Sequence, residues 1–336
     1  MIIIELYYSL FKGNTFSKLL QEKGYEVEQF AFFKTENKRF INKRAYIVRE
    51  IICLFKVIFK LHSFRNNRVF CLGGYYAILL ACRLFYPFSG KNFHLFIYNF
   101  YLHETGEKKL IQAILRFLLN NPKCTLIVQS PKEVDFYKRL TSIPVEFVPY
   151  CADIIPIKES YAFDFQPGSY IFTGGYTNRD YSLVLQCANA FPDQLFVIVA
   201  SHLNTDFKEN NIPENVMLFK NLPNTDFETL LAHAKIVLVP LKSDVGASGQ
   251  MLCLSAMQHK KPIIYTDISS INYYFEDHVS GISYPLGSEK TLVKELGELI
   301  NNPKLQETWG QNAYNLYMNN FTSAHRDAKL LELINS

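Results

Sequence analysis

The chain has 336 residues, 49% hydrophobic and 20% charged, with a formal net charge of +4. This is a globular composition, too long for one average core, so two domains are expected. The mild charge without a lysine and arginine block argues against nucleic acid as a partner; seven scattered cysteines without a C-x-x-C pair argue for reduced thiols in a cytoplasm and against a zinc site.

The amino terminus, MIIIELYYSLF, is short and carries Glu5, so it reads as a first strand and not as a signal peptide. No run of 18 apolar residues is present to span a bilayer. The pattern predicts a strand over 2–8, a helix near 15–23 stopped by Gly24, and a strand over 25–32. A basic and apolar segment follows at 43–68. A strand then ends at Gly73-Gly74, with a helix through Tyr86, strands 93–98, 125–129 and 145–149, and helices 108–119 and 132–140 between them. Such alternation implies a mostly parallel, doubly wound sheet covered on both faces. Residues 151–168, with Pro156 and Pro167, break the rhythm and are expected to be the inter-domain linker.

The rhythm restarts with a strand over 170–173 that ends at Gly174-Gly175. A helix over 181–190, strands 195–200 and 216–219, a helix over 226–234 and a strand over 236–239 follow. A helix over 250–259, a strand over 263–265, a short helix near 271–275, a turn at Ser280-Gly281 and helices near 291–300, 305–318 and 323–334 complete the chain. Open α/β sheets bind ligands outside the carboxyl ends of their strands, and in two such halves these ends are expected to face each other across a cleft.

The densest signal is Pro240–Asp267, PLKSDVGASGQMLCLSAMQHKKPIIYTD. At its helix start a Ser248 hydroxyl can cap free N–H groups, and Gly249 lets an anion approach the backbone at Gln250. A plain strand–loop–helix turn fits the same letters. In Thr173–Asp180 the pair Gly174 and Gly175 permits close backbone approach, and Arg179 can fork onto a diphosphate; a tight turn with a surface arginine is the alternative. Neither loop is G-x-G-x-x-G or a Walker pattern, which counts against NAD and ATP. Lys242 can neutralise a phosphate and Asp244 accept from a sugar or ribose hydroxyl, or the two form a solvated loop pair. Leu222 sits where loop backbone can read a base, or in an ordinary turn.

In the first half, His103 and Glu104 follow a strand, so they read as an acid–base or polar-binding pair or as surface residues. No Ser/His/Asp set or H-E-x-x-H is present for hydrolysis. Residues 43–68 interleave Lys43, Arg44, Arg49, Lys56, Lys60, Arg65 and Arg68 with Ile47, Val48, Ile51, Ile52, Phe55, Ile58 and Phe59. That three-to-four spacing suits a helix lying on an anionic membrane surface, or a packed helix with snorkelling cations.

FTGG with Arg179-Asp180-Tyr181, the run FETLLAHAKIVLVPL, SGQMLCLSAMQHKKPII and the DHVSGISY turn resemble the nucleotide-sugar domain of GT-B glycosyltransferases of the family 4 type, over residues 170–320. The first half is similar only in rhythm and in VPYCAD. The resemblance implies an α/β protein of two Rossmann-like, doubly wound domains facing across a cleft. Residues 1–155 would bind the acceptor, 165–320 the nucleotide sugar, and 321–336 would form a helix crossing back to the amino-terminal domain. It implies a metal-independent transferase of the hexosyltransferase type, without cofactor, because basic side chains and a helix N-terminus stabilise the leaving diphosphate. The donor would be a nucleoside-diphosphate sugar, UDP the expected nucleotide. Gly174, Gly175, Arg179, Leu222, Lys242, Asp244, Ser248, Gly249 and Gln250 would bind it, with His103 or Glu104 as acceptor base. The acceptor would be a lipid-linked or cell-surface glycan of bacterial polysaccharide or envelope synthesis, met in the cytoplasm or peripherally at the inner face of the membrane.

One departure matters. The family's two glutamates, eight residues apart, fall on Ala247 and Ser255, so both carboxylates are missing and Asp244 is the nearest candidate. Two other readings therefore stay open: a non-catalytic GT-B partner subunit of another glycosyltransferase, and a UDP-sugar epimerase of GT-B shape.

Overall fold

The structure is a computed structural model that describes residues 2–9, 15–33, 43–72, 75–89, 93–100, 109–120, 123–204, 212–244 and 246–336. His103 and Glu104 lie outside the described residues, as do Gly73 and Gly74. The chain divides into one unit of Met1–Pro149 with Arg326–Ser336 and a second of Tyr150–His325.

The first unit runs β1 (Ile2–Ser9), α1 (Thr15–Glu22), β2 (Glu26–Phe33), α2 (Lys43–Lys60), β3 (Arg68–Cys71), α3 (Tyr75–Ser89), β4 (His94–Tyr98), α4 (Lys109–Leu119), β5 (Cys124–Val128), α5 (Pro131–Leu140) and β6 (Val145–Phe147). Its strands form a parallel sheet in the order β2-β1-β3-β4-β5-β6. Successive side chains of a strand point to opposite faces, and the core divides accordingly. Leu95, Ile97, Leu126 and Val128 pack with Cys53, Val57, Ile78, Cys82, Leu115 and Tyr137, which puts α2 to α5 on one face. Ile3, Phe70, Phe96 and Ile127 pack on the other with Phe16 and Leu20 of α1. Leu330 and Ile334 of the last helix join that second face, and Asp327 accepts a 2.6 Å hydrogen bond from the Thr15 hydroxyl. The basic segment therefore forms a helix only as far as Lys60, followed by a 3-10 turn Leu61–Phe64 and the edge of β3.

The second unit runs β7 (Tyr170–Gly175), α6 (Tyr181–Ala190), β8 (Leu195–Ala200), β9 (Val216–Lys220), α7 (Asn224–Ala232), β10 (Ile236–Val239), α8 (Gln250–Gln258), β11 (Ile263–Thr266), α9 (Ser269–Asn272), β12 (Ile282–Tyr284), α10 (Glu289–Ile300) and α11 (Pro303–Asn320), with α12 (Ser323–Asn335) leading out of it. Its parallel sheet has the order β12-β11-β10-β7-β8-β9. The chain moves outward from β7 through β8 to β9, then returns to place β10 on the other side of β7. Chain direction across the sheet therefore reverses between β7 and β10, and loops leaving their carboxyl ends diverge there.

Two features differ from expectation. The turn at Ser280-Gly281 opens the strand β12, which pairs with β11. Residues 150–168 are an anchored strap of the second unit and not a free linker. The Tyr274 and Tyr317 hydroxyls donate to the carbonyls of Tyr150 and Ala152, each at 2.9 Å, and Gln258 donates to Asp153 O at 3.0 Å. The Lys158 amide donates to Thr229 Oγ1 at 3.0 Å. Helix side chains thus take up the backbone polar groups of a segment that forms no strand.

Candidate functional site

The two loops singled out in the sequence are those that leave β7 and β10, the strands at the reversal. They are bonded to one another. Lys242 N donates to Asn178 O at 3.2 Å, Asn178 Nδ2 donates to Ser243 O at 2.9 Å, and Ser243 Oγ donates to Asn178 Oδ1 at 2.9 Å. Asp180 N reaches Pro240 O at 3.1 Å, while the Asp180 carboxylate caps α6 through Leu183 N at 3.1 Å. Asn178 has a φ of 57°, a left-handed conformation that asparagine tolerates better than most residues.

Arg179 is 7% exposed and binds its own loop. Nε donates to Gly174 O at 2.9 Å and Nη1 to Thr177 O at 3.0 Å. Burial holds the guanidinium below its usual value, with the Tyr181 hydroxyl and the Cys253 thiol pulling the other way; no carboxylate among the described residues pairs with it. A full positive charge is thus desolvated and met only by carbonyl dipoles, an arrangement that favours a bound anion. The alternative of a surface arginine in a tight turn does not hold, because the side chain is buried.

The glycines serve this arginine and the core. A Cβ on Gly175, whose φ is 144°, would lie 2.5 Å from Arg179 Nη2, so only glycine lets the guanidinium lie over the strand end. A Cβ on Gly174 would lie 2.5 Å from the Phe227 ring of α7. The space beside Gly174 is therefore filled by protein.

In the second loop, Leu241 N donates to Thr266 Oγ1 at 2.9 Å, and that hydroxyl also sits 2.8 Å from the Tyr284 hydroxyl. Helix α9 holds the opposite side: Ser269 Oγ donates to Asp244 Oδ1 and Ser270 Oγ to Ser248 O, both at 3.3 Å. Lys242 is exposed, whereas Asp244 is half-buried. The cap of α8 is Gly249, with a φ of 86° and no side chain, so the expected cap by a Ser248 hydroxyl is corrected: the cap position itself carries no hydroxyl. Gln250 is buried and its Nε2 donates to Ser270 O at 3.3 Å, which turns this side chain toward α9. Its backbone N–H remains in the first turn of α8, where the helix dipole favours negative charge. The first turn also carries Cys253, whose thiol is pushed up to about 12 by burial and drawn back by Arg179. The guanidinium and the helix start are electrostatic neighbours.

Leu222 packs on the core shared by α7 and α8, in the loop after β9. Because β8 stands between β7 and β9, Leu222 is two strands from the reversal. At the positions without the expected carboxylates, Ala247 lies in the β10–α8 loop and Ser255 is buried in α8. Ser255 Oγ donates at 3.1 Å to Glu228 Oε1 of α7. A carboxylate is thus present beside position 255, supplied by another helix. Burial pushes Glu228 up to about 7, opposed by the Ser255 bond, and its Oε2 has no hydrogen-bond partner among the described residues. His259 Nε2, also unpartnered, lies 3.9 Å from that oxygen, and burial first, then Lys261 and His233, lowers this histidine to about 4. No local pattern marks Glu228, 27 positions before Ser255. Among the described residues no three His, Cys, Asp or Glu side chains gather as metal ligands.

Residues 182–316 match the family of glycosyl transferases group 1. No curated protein matches the chain by sequence. Three solved structures are similar over their full length. Sucrose-phosphate synthase (tll1590) from Thermosynechococcus elongatus is 12% identical with a TM-score of 0.74, covering 100% of this chain and 98% of its own. Alr3699/HepE from Anabaena, in complex with UDP, is 13% identical with a TM-score of 0.66 and 99% of each chain covered. A glycosyltransferase from Rickettsia africae ESF-5 is 11% identical with a TM-score of 0.65, covering 99% and 97%. At these identities the likeness establishes the fold, and it spans both units.

Proposed function

Because residues 182–316 are a glycosyl transferases group 1 domain on a GT-B fold, the chain is a glycosyltransferase, and we propose that its donor is a UDP-sugar held at the β7–β10 reversal. The observation that carries this reading is Arg179, a buried cation that pairs with no carboxylate among the described residues, beside a glycine-capped helix start. A diphosphate there receives the guanidinium, the first amides of α8 and the Lys242 ammonium. HepE, of the same fold, has been solved with UDP and with UDP-glucose, which supports the choice of nucleotide.

In the transfer step an acceptor hydroxyl oxygen forms a bond to the anomeric carbon while the bond from that carbon to the diphosphate oxygen breaks. Negative charge grows on the leaving diphosphate, where preorganised cations and helix amides lower the barrier without reorganising. The acceptor proton passes to a base, which we assign to His103 or Glu104. Asp244 takes a sugar or ribose hydroxyl, and the buried Glu228 carboxylate beside Ser255 places an acceptor oxygen where position 255 lacks one. The proposed acceptor is a lipid-linked or cell-surface glycan precursor of bacterial envelope synthesis, met in the cytoplasm. All seven cysteines are buried, and we assign the chain to a reducing compartment.

The test is a thermal-shift screen of UDP-, GDP- and CMP-sugars, followed by turnover with the hit, since a ligand binding only the native state raises stability. The expected result is a shift with UDP-sugars and slow donor hydrolysis without acceptor. A shift with GDP- or CMP-sugars alone overturns the nucleotide assignment; epimer formation with UDP-sugar alone would identify the epimerase instead.

A further inference from the structure

Helices α2, α3 and α4 lie on the same face of the first sheet, and α3 packs against both others. These 44 residues hold ten of the nineteen large apolar side chains that stand exposed among the described residues. On α2, Ile47, Ile51, Phe55 and Phe59 recur every fourth residue and so form one row along the helix; Phe55 is 58% and Phe59 77% exposed. The inward side of the same helix is apolar as well, with Cys53 and Val57 fully buried. A soluble surface helix buries one apolar stripe and shows polar residues on the other side. Here the outer side is apolar too. On α4, Leu110, Ile114 and Phe117 form a second outward row, with Leu110 73% exposed, beside the buried Leu115, Leu118 and Leu119.

Charge identifies what this face meets. The three helices contain eight basic residues, Lys43, Arg44, Arg49, Lys56, Lys60, Arg83, Lys109 and Arg116, and one acid, Glu50. Their net charge of +7 exceeds the +4 of the whole chain, so the rest of the protein carries −3. Glu50 accepts from Ala77 N at 3.2 Å, which directs that carboxylate to the start of α3. A cation flanks one of the exposed rings: the Arg83 guanidinium lies 5.2 Å from the Phe117 centroid. Snorkelling lysines over a buried core would account for the cations but not for rows of exposed phenylalanine and isoleucine. No helix of the described residues is long and apolar enough to cross a membrane, so an interfacial mode remains.

We propose that the outer face of α2, α3 and α4 docks on an anionic lipid surface, with Phe55, Phe59 and Leu110 entering the headgroup region and Lys56, Lys109 and Arg116 contacting lipid phosphates. This surface would bring a transferase to lipid-linked acceptors and in that respect rests on the proposed function, but docking itself requires neither donor nor turnover. Apolar area and charge act together at such a surface, so removing either weakens binding.

The experiment is flotation of the full chain with vesicles of phosphatidylcholine alone or mixed with phosphatidylglycerol, with UDP binding by calorimetry measured in parallel. The wild type is expected to float with the anionic vesicles, less with the neutral ones, and less again in high salt. Phe55→Ser with Phe59→Ser, and separately Lys56→Glu with Arg116→Glu, are expected to lower vesicle affinity by roughly tenfold or more while leaving UDP affinity and thermal stability unchanged. Because the phenylalanines are exposed, the serine variant removes no core contact. Absence of flotation by the wild type, or flotation of both double variants like the wild type, overturns the proposal. So does a wild-type dimer that is abolished by Phe55→Ser with Phe59→Ser and does not bind vesicles, since the face would then join two copies. Loss of UDP binding with intact flotation would overturn the donor assignment alone.

Discussion

Replacing Arg179 by alanine separates two effects that the structure puts on one side chain. Without ligand, the guanidinium makes two charge-assisted bonds to Gly174 O and Thr177 O, each contributing roughly 1.5–3 kcal/mol. Against this stands the cost of desolvating a charge that meets no carboxylate among the described residues, on the order of several kcal/mol. The two nearly offset, so Arg179→Ala is expected to lower stability by only about 1–3 kcal/mol, mainly from two unpaired carbonyls. In the proposed site UDP would change the balance, because its diphosphate would supply the missing negative charge. Loss of one such contact is expected to raise Kd roughly tenfold to a hundredfold, or about 1.4–3 kcal/mol. In a thermal-shift assay at a UDP concentration about 100 times the wild-type Kd, ligand stabilises the wild type by about 2.7 kcal/mol and a tenfold weaker variant by about 1.4 kcal/mol. Arg179→Lys retains the charge but not the fork, and should fall between. Equal UDP-induced stabilisation in wild type and Arg179→Ala, with Kd unchanged by calorimetry, would refute the reasoning.

Gly175→Ala should reproduce the Arg179→Ala defect in UDP affinity, because its Cβ displaces the guanidinium, and cost about 1–3 kcal/mol of stability by strain at positive φ; calorimetry and thermal melts check both. Thr266→Val removes the acceptor for Leu241 N, so chemical denaturation should show a loss of roughly 1–3 kcal/mol, with UDP affinity falling as the β10–α8 loop loosens. Glu228 is held above its usual value, at about 7, so its contribution to stability is complete below about pH 4.5 and lost as pH rises to about 7. His259, lowered to about 4, works in the opposite sense, and its contribution grows as pH rises from about 4 to 6.5. Glu228→Gln keeps an acceptor for Ser255 and removes the first effect only. It should therefore gain on the order of 2 kcal/mol over the wild type at pH 8 and little at pH 4.5, while weakening UDP binding; an equal difference at both pH values contradicts the buried-acid account.

The α/β architecture was legible because parallel strands covered on both faces are written as continuous apolar runs, such as Leu195–Ala200 and Ile236–Val239. The two loops were legible for a local reason, small residues placed directly after a strand and before a helix. Their junction was not. Asn178 with Ser243, Leu241 with Thr266 and Glu228 with Ser255 are pairs brought together by strand order, and no spacing within one segment announces them. Gly174 and Gly175 read as room for a ligand, whereas the structure fills that room with Phe227 and the Arg179 guanidinium. Prolines and polar residues made 151–168 resemble a linker; the alternation Tyr161, Phe163, Phe165, whose rings pack on one another and, from Phe163 and Phe165, on Phe219 and Tyr170, was the overlooked sign of an adherent strap.

The central claim is that a diphosphate sits on the helix start at Gly249 under Arg179. Two-dimensional NMR of the labelled protein during titration with UDP, and in parallel with uridine, tests it at the atoms concerned. The account predicts that UDP shifts the amides of Gln250 and Met251 and the Arg179 Nε–H, whereas uridine leaves them in place. Shifts confined to the first unit, or the same shifts from uridine as from UDP, would contradict it.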